Sequence, residues 1–408
     1  MKIGIISPDA VKLELTKDYP SIKVENGVEY SFVSKCVHET ALGKRARICA
    51  EYLSKENDVT LLIPDLNFPG HAYINYDTLN YAIKEYDWHD ANWKTSKSLY
   101  SELVKYDVII IQSTTGTGFL DVARLPKNIT VVVDGWVPFL VEFPSALLSY
   151  TDEKIRNAWW KKGSQAYKKL IDRADCILYA NKAQFSYYAG LLSSNVNNGM
   201  WNNINKFKLV ELKYGIGVRE RKIHFKDTPE LKLVWFGPIY PWYDPTPILN
   251  VINELENISI DFVSVEHPRF KKLFYEKYKN ILDNNHVKYT KKYIYEPFTE
   301  LYEYDAGIIM SQEWNEEYFS NRCRIMDMVA LGLPVITNSV NPFFQYESLQ
   351  SVLHPTTKNT IRTDLLHLRD NKHELRLFDI EYKEIIDEFH WDKCFIPILK
   401  YLRGIANA

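Results

Sequence analysis

The stretch "FSNRCRIMDMVALGLPVIT", Phe319 to Thr337, decides how the second half of the chain folds. Ile325, Met328 and Val329 follow i, i+3, i+4 spacing, which puts them on one helical stripe facing a core. Gly332 reads as the stop, in the C′ position that favours a left-handed residue. "LPVIT" then enters a sheet. The start of this helix is charged. Ser320 is the expected N-cap, with a first turn from Asn321 to Arg324 that carries Arg322 and Arg324. Two cations at the positive end of a helix dipole need compensation. An anionic ligand at the free N–H groups supplies it on one reading. On the other, Arg324 pairs with Asp327, and Arg322 with Glu316 or Glu317.

Working outward, short apolar strands alternate with helices. "LKLVWFG" (231–237), "SIDFVSVEH" (259–267), "VKYT" (287–290), "DAGIIMS" (305–311) and "LPVITNS" (333–339) read as strands of one unit. Its helices are 244–257, 270–284 and 322–332. The first half repeats the scheme with "KIGIIS" (2–7), "DVTLLIP" (58–64), "DVIIIQS" (107–113), "ITVVVDG" (129–135) and "ADCILYAN" (174–181), and with a crossover helix over 43–57. These near-continuous Val/Ile/Leu runs are how strands buried on both faces read, so the sheets are parallel and helix-flanked. The fold class is α/β: two successive Rossmann-like, doubly wound units of about 200 residues facing a cleft. The polar, Asn-rich segment 193–208 is the expected linker region.

Composition narrows the function. Of the 408 residues, 46% are hydrophobic and 25% charged, as in globular proteins, and the net charge of -2 gives no basic field for nucleic acid. Five scattered cysteines without a C-x-x-C disfavour a disulfide framework or a zinc site and fit a reducing compartment. "MKIGIIS" reads as a strand rather than a secretion signal, and no run of 18 apolar residues marks a membrane span. The expected location is cytoplasmic. No G-x-G-x-x-G follows the first strand and no Walker sequence occurs, which disfavours a nicotinamide dehydrogenase and a P-loop nucleotidase.

Ligands of open α/β sheets bind at the carboxyl ends of the strands. Gly237 there allows close backbone approach, and Trp242 either covers a ligand or packs the loop. Asp244 and Pro245 read as a helix cap. His267 and Arg269 end another strand, where Arg269 could grip a phosphate. "TTGTGF", with Thr115 and Gly116, is a tight turn or a ligand-facing one. Asp134 ends the strand "ITVVVD" before Gly135, where an Asp makes a turn.

Together these motifs resemble the retaining GT-B glycosyltransferases of the large family four. "DMVALGLPVIT" resembles its helix–glycine–strand signature, "FSNRCRIMD" its F-S-x-R-x-R-x-x-D, and "LVWFGPIYPWYDP", the "HP" at 267–268 and "YEPFTELYEYDAGIIMS" its other second-domain segments. "ADCILYANKAQFSYYAGLL" and "KYGIG" resemble the end of its first domain and the entry to its second.

The resemblance implies an acceptor-side domain over 1–205, a nucleotide-sugar domain over 206–388 and a final helix over 389–408 packing back on the first. It implies transfer of a sugar from a nucleotide-sugar donor to a glycan, glycolipid or glycoprotein acceptor, with retention, in surface polysaccharide, glycolipid or glycoprotein assembly. No metal or other cofactor is expected. Asp327 takes the place of the ribose-binding acidic residue, and Glu316 or Glu317 that of the acid at the donor sugar. Asp134 sits where the family often places a group near the reacting centre, to orient the acceptor hydroxyl or help deprotonate it. Arg322 and Arg324 serve the diphosphate or hold the acidic loop. Gly237, Trp242, His267, Arg269 and Ser320 complete the donor side. Gly43 and Arg45, in a reduced glycine-rich loop, join Thr115 and Gly116 on the acceptor side. Two departures stand out. The E-x7-E spacing is not met, and the Lys after the first strand of the second domain is missing. Both feed a rival reading, a non-catalytic relative that binds nucleotide or glycan as a scaffold. The basic segment 152–173, with Trp159 and Trp160, is a solvated helix face or, as in relatives with lipid-linked acceptors, a peripheral membrane contact on the cytoplasmic side.

Overall fold

A computed structural model describes residues 1–7, 22–25, 28–31, 41–65, 79–87, 97–112, 122–136, 138–147, 152–193, 208–217, 228–240, 242–264, 278, 286–290, 298–312 and 315–407. Among these, the strands of the first unit form one parallel sheet in the order β5-β4-β1-β6-β7-β8-β9. They are β1 (Lys2–Ile6), β4 (Asp58–Asp65), β5 (Ala82–Asp87), β6 (Val108–Gln112), β7 (Thr130–Asp134), β8 (Cys176–Tyr179) and β9 (Lys208–Glu211). A separate antiparallel hairpin pairs β2 (Ile22–Glu25) with β3 (Val28–Ser31). The second sheet, also parallel, has the order β12-β11-β10-β13-β14-β15. Its strands are β10 (Leu231–Phe236), β11 (Ile258–Val263), β12 (Val287–Thr290), β13 (Ala306–Ile309), β14 (Val335–Asn338) and β15 (Leu353–Thr356).

The central strands are buried throughout, β6 and β13 at every position. That is the physical content of their uninterrupted apolar runs. In both sheets the strand order reverses beside the first strand, between β1 and β6 and between β10 and β13. Crossovers leave on opposite faces there and open a crevice at the carboxyl ends.

Helix α1 (Ala41–Leu53) crosses from the first sheet's switch point towards β4, followed in chain order by α2 (Lys97–Leu103), α3 (Phe139–Leu147), α4 (Glu153–Arg173) and α5 (Lys182–Ser193). In the second unit come α6 (Thr246–Ile252), α7 (Asn315–Phe319), α8 (Cys323–Ala330) and α9 (Ile361–Asp370). The chain ends in α10 (Asp379–Phe389), α11 (Trp391–Cys394) and α12 (Ile396–Ala406).

Helix α8 buries Ile325, Met328 and Val329 completely. It stops as its sequence dictates. Gly332 has φ +74°, its N–H donates to Val329 O at 2.9 Å, and Leu333 N–H donates to Met328 O at 3.0 Å. These two bonds satisfy carbonyls that the helix end would otherwise orphan.

Some expectations shift. The first sheet runs past residue 205, because β9 pairs in parallel with β8. Asp244 does cap α6, its Oδ1 accepting from Thr246 N–H at 3.0 Å, though Pro245 holds the N-cap position itself. Most of the linker region 193–208 and the helix expected over 270–284 lie outside the described residues. The last helices return to the first unit: Phe395 stacks on Tyr52 at 5.0 Å, and Arg403 donates to Glu56.

Candidate functional site

The site forms where the second sheet's switch point meets the first unit. Helix α8 begins two residues later than its sequence suggests. Arg322, in extended conformation, occupies the N-cap position without a side-chain cap bond. Ser320 does not cap; its hydroxyl lies 3.5 Å from Glu317 O. The cause is Arg322 itself. Its Nη2 donates to Glu317 Oε2 at 2.9 Å and to Ser311 Oγ at 3.1 Å, which draws the chain back across α7. Glu317 Oε1 accepts from Asn341 Nδ2 at 2.7 Å. Glu317 is fully buried and Arg322 is 6% exposed. Both carboxylate oxygens are therefore engaged, and the expected donor contact of Glu317 is replaced by a bracing role.

Arg324 takes the other course. It does not pair with Asp327, which instead accepts from Lys44 Nζ on α1 at 2.7 Å, across the two units. The Arg324 guanidinium lies 4.9 Å from the Tyr243 ring centroid and 5.7 Å from that of Tyr240. Its Nη1 is buried without a hydrogen-bond partner among the described residues. The group rests on the strand-end turn at Gly237, where φ is +90°. A Cβ there would come within 2.8 Å of the guanidinium carbon. Glycine thus serves both the backbone conformation and the seat of Arg324. Arg322 faces the same Tyr243 ring at 4.9 Å, so this buried tyrosine is shared by both guanidinium groups.

On the first unit, Arg45 and Asp134 meet in a fully buried ion pair, Nε–Oδ2 3.0 Å and Nη2–Oδ1 3.2 Å. Arg45 also donates to Leu212 O and Lys213 O. Burial opposes the charge on Arg45, but the Asp134 carboxylate outweighs it and holds the guanidinium above its ordinary pKa. Asp134, 1% exposed, is thereby the partner of a buried cation rather than a base facing the cleft. The pair fixes α1 against β7 and against the chain leaving β9. Gly43 lies buried in the first turn of α1. Cys323, beside Lys44 and Asp327, has its thiol pushed up to about 12 by burial and by the Asp327 carboxylate, against the opposing pull of Lys44.

A hydrogen-bonded seam joins the units beneath the cleft. Gln184 Nε2 on α5 donates to Trp136 O at 2.7 Å and to Phe319 O at 2.6 Å, while its Oε1 accepts from Ala180 N–H. Tyr346 donates to Ala180 O, and Gln345 accepts from Lys182 N–H. Above the seam is a cavity of about 180 Å³ with walls from both units, Leu42, Trp136 and Val141 facing Tyr240, Trp242 and the 319–324 loop. Trp242 stacks on Tyr240 at 4.7 Å and still lines this cavity.

Sequence reasoning thus located Gly237, Trp242, Ser320, Arg322 and Arg324 at one place, with Asp327 on the same helix. It missed Lys44 as the partner of Asp327, and it missed Asn321, Tyr240 and Tyr243, none of which carries a local signal. His267, Arg269, Thr115, Gly116 and the side chain of Glu316 lie outside the described residues. No group of three His, Cys, Asp or Glu is placed to hold a metal ion among the described residues.

No protein-family model and no curated protein sequence matches the chain. Solved structures do. Sucrose-phosphate synthase from Thermosynechococcus elongatus superposes with a TM-score of 0.65 over 100% of this chain and 99% of its own, at 11% identity. HepE of Anabaena, in a complex with UDP and glucose, gives 0.60 over 99% and 100%, at 11% identity. An E. coli protein titled trehalose-6-phosphate, bound with UDP-2-fluoro glucose, gives 0.59 over 98% and 99%, at 10% identity. At such identities the likeness establishes the fold: the chain has the GT-B architecture found in glycosyltransferases.

Proposed function

We propose that the protein is a glycosyltransferase that moves a sugar from a nucleoside-diphosphate sugar to an acceptor hydroxyl, with retention and without a metal ion. The observation that carries this reading is Arg324. A guanidinium with an unpartnered Nη1 lies on the glycine turn at the second sheet's switch point, beside the start of α8. A diphosphate satisfies it with charge-assisted hydrogen bonds. The UDP complexes of similarly folded proteins add support for a uridine nucleotide. Asp327 is the ribose-binding carboxylate, shared with Lys44.

In the reaction, the bond between the anomeric carbon and the phosphate oxygen breaks, and its electron pair leaves with the diphosphate. Arg324 and the N–H groups opening α8 meet that charge. The acceptor oxygen bonds to the same face of the anomeric carbon, and its proton passes to the leaving phosphate oxygen. Glu317 and Asp134 are positioning residues here: one holds Arg322 and the 317–322 loop, the other holds α1.

A thermal-shift screen with UDP, GDP, dTDP and their sugars tests the reading. One diphosphate raises the melting temperature of the wild type, and Arg324→Ala and Asp327→Ala reduce the rise. No rise with any nucleotide would refute the assignment of the donor site. The engagement of both Glu317 and Asp134 in buried pairs favours one second reading, a relative that binds nucleotide or glycan without turnover. It predicts nucleotide binding with no donor consumption in the presence of acceptors.

The acceptor on this proposal is a glycan or a lipid-linked glycan, with the enzyme leaning on an anionic membrane face. Helix α4 supports the membrane contact. Its C-terminal half packs inwards through Gly163, Tyr167, Leu170 and Ile171, and Trp160 stacks one face on Phe143 of α3. Its first half exposes Ile155, Trp159 and Trp160 beside Lys154, Lys161 and Lys162. Aromatic and cationic groups on one exposed helix suit an anionic interface. Among the described residues no helix is long and apolar enough to cross a membrane. Sedimentation with vesicles of anionic and of zwitterionic lipid tests this: anionic vesicles carry down the wild type, and Trp159→Ser/Trp160→Ser abolishes it. Equal recovery of both proteins would discard the membrane contact.

A further inference from the structure

The cavity between the units holds one residue whose chemistry the fold does not use. Asn321 is 7% exposed, and neither Oδ1 nor Nδ2 has a hydrogen-bond partner among the described residues. Buried side-chain amides are nearly always paired. Asn321 lines the cavity, and so does Trp136, whose Nε1 is likewise buried and unpartnered. The remaining wall is mainly aromatic and aliphatic, with Glu142, Arg322 and Arg324 as its charged members.

We propose that Asn321 is the specificity-determining residue of this cavity, and that it reads adjacent hydroxyl groups of a neutral pyranose ring. The inference rests on the glycosyltransferase reading and names what the shared cavity recognises. An asparagine amide offers two donors and an acceptor on one edge, and the indole N–H adds a donor. Neighbouring hydroxyls each donate and accept, so one ring satisfies the amide from both sides. A phosphodiester or the bridging diphosphate of a nucleotide sugar cannot, since when ionised it carries no O–H for Oδ1. An alkyl chain offers neither partner. The apolar face of a pyranose suits the Trp242 and Tyr240 rings. The walls come from both units, which is where a ring passing between donor and acceptor must lie. A nucleobase would also match an amide edge and an aromatic wall, and the experiment separates it.

The test compares wild type with Asn321→Leu, similar in size and unable to hydrogen-bond. Binding of UDP, GDP and dTDP, bare and as hexose conjugates, is measured by calorimetry. Methyl hexopyranosides are titrated separately by tryptophan fluorescence, since Trp136 and Trp242 line the cavity. In the wild type, one hexose conjugate binds about tenfold or more tighter than its bare nucleotide, or one methyl pyranoside binds saturably. The first outcome assigns the ring to the donor, the second to the acceptor. In Asn321→Leu that preference falls to near unity, or the saturable binding disappears, as expected when a site built for hydroxyls loses its polar partner. Asn321→Asp, which keeps an acceptor and loses both donors, also lowers the preference and covers the case of a leucine variant that does not fold. Because the amide has no partner among the described residues, Asn321→Leu melts at or above the wild-type temperature; a structural asparagine would melt lower.

The proposal is overturned if Asn321→Leu keeps the wild-type preference. It is overturned equally if no hexose conjugate is preferred and no pyranoside binds the wild type. Equal weakening of bare nucleotide and conjugate would give Asn321 to the base instead. Failure of every bare nucleotide to bind refutes the donor-site reading separately, and the pyranoside arm still decides the role of Asn321.

Discussion

At the scale of single residues, two arginines two positions apart have opposite fates. Arg322 is spent on Glu317, whose other oxygen is held by Asn341. Arg324 keeps a nitrogen in reserve over a glycine turn. Exposure separates them: a buried ion pair is costly to break because the remaining charge stays in a low-dielectric site. Glu317→Ala takes the carboxylate away from the buried Arg322, whose Nη2 still donates to Ser311 Oγ and whose guanidinium still lies over the Tyr243 ring. It should cost about 3–5 kcal/mol of stability, measured by denaturant unfolding. A loss below about 1 kcal/mol, typical of surface pairs, would contradict the bracing role. The Arg322–Glu317 pair spans five positions and was one of the expected pairings, whereas the pairs that join α1 to the rest of the molecule have no short-range signature. Lys44 and Asp327 are 283 positions apart and Arg45 and Asp134 89 apart, so the sequence supplied the charges but not their pairing.

At the scale of elements, the legible parts were those fixed by local physics. The buried central strands announced themselves by unbroken apolar runs, and α8 by its stripe and its glycine stop. The strands that sequence reading passed over in the two sheets, β5, β9 and β15, are all edge strands. An edge has fewer neighbours to demand apolar side chains, so "AIKEYD" and "KLVE" read as polar. In "LHPT", Pro355 lacks the N–H that a central strand would need. The start of α8 was misjudged because the buried pair of Arg322 with Glu317, not a cap, set it. The same scale holds a pH-dependent tie. Glu388 at the end of α10 accepts from Lys213 Nζ at 2.7 Å and from Ser348 Oγ at 2.6 Å. Burial raises its pKa, but these two bonds outweigh burial and hold it below the ordinary 4.5. A depressed carboxyl pKa stabilises the fold above the unfolded value and loses that contribution as pH falls through the folded value. Wild type should therefore lose melting temperature more steeply than Glu388→Gln as pH falls below the ordinary 4.5. Parallel curves would show that the tie contributes nothing.

At the scale of the molecule, two sheets of like topology bring their switch points to one cleft, and polar links cross it beside the Tyr187–Phe319 ring contact. Lys44 reaches Asp327, and Gln184 joins Trp136 to Phe319. Hydrogen bonds and one partly buried ion pair can be exchanged for bonds to a ligand more readily than an apolar interface can be opened. On the proposed function the cleft holds a ligand between the units, with Arg324 as its anchor. Calorimetric titration of the wild type and Arg324→Ala with UDP, GDP and dTDP, alongside Arg362→Ala as an exposed control on α9, tests that claim most directly. The account predicts saturable binding of one diphosphate to wild type and control, weakened about tenfold or more in Arg324→Ala, as for a lost charge-assisted contact. Binding of equal strength to all three proteins, or to none, would contradict it.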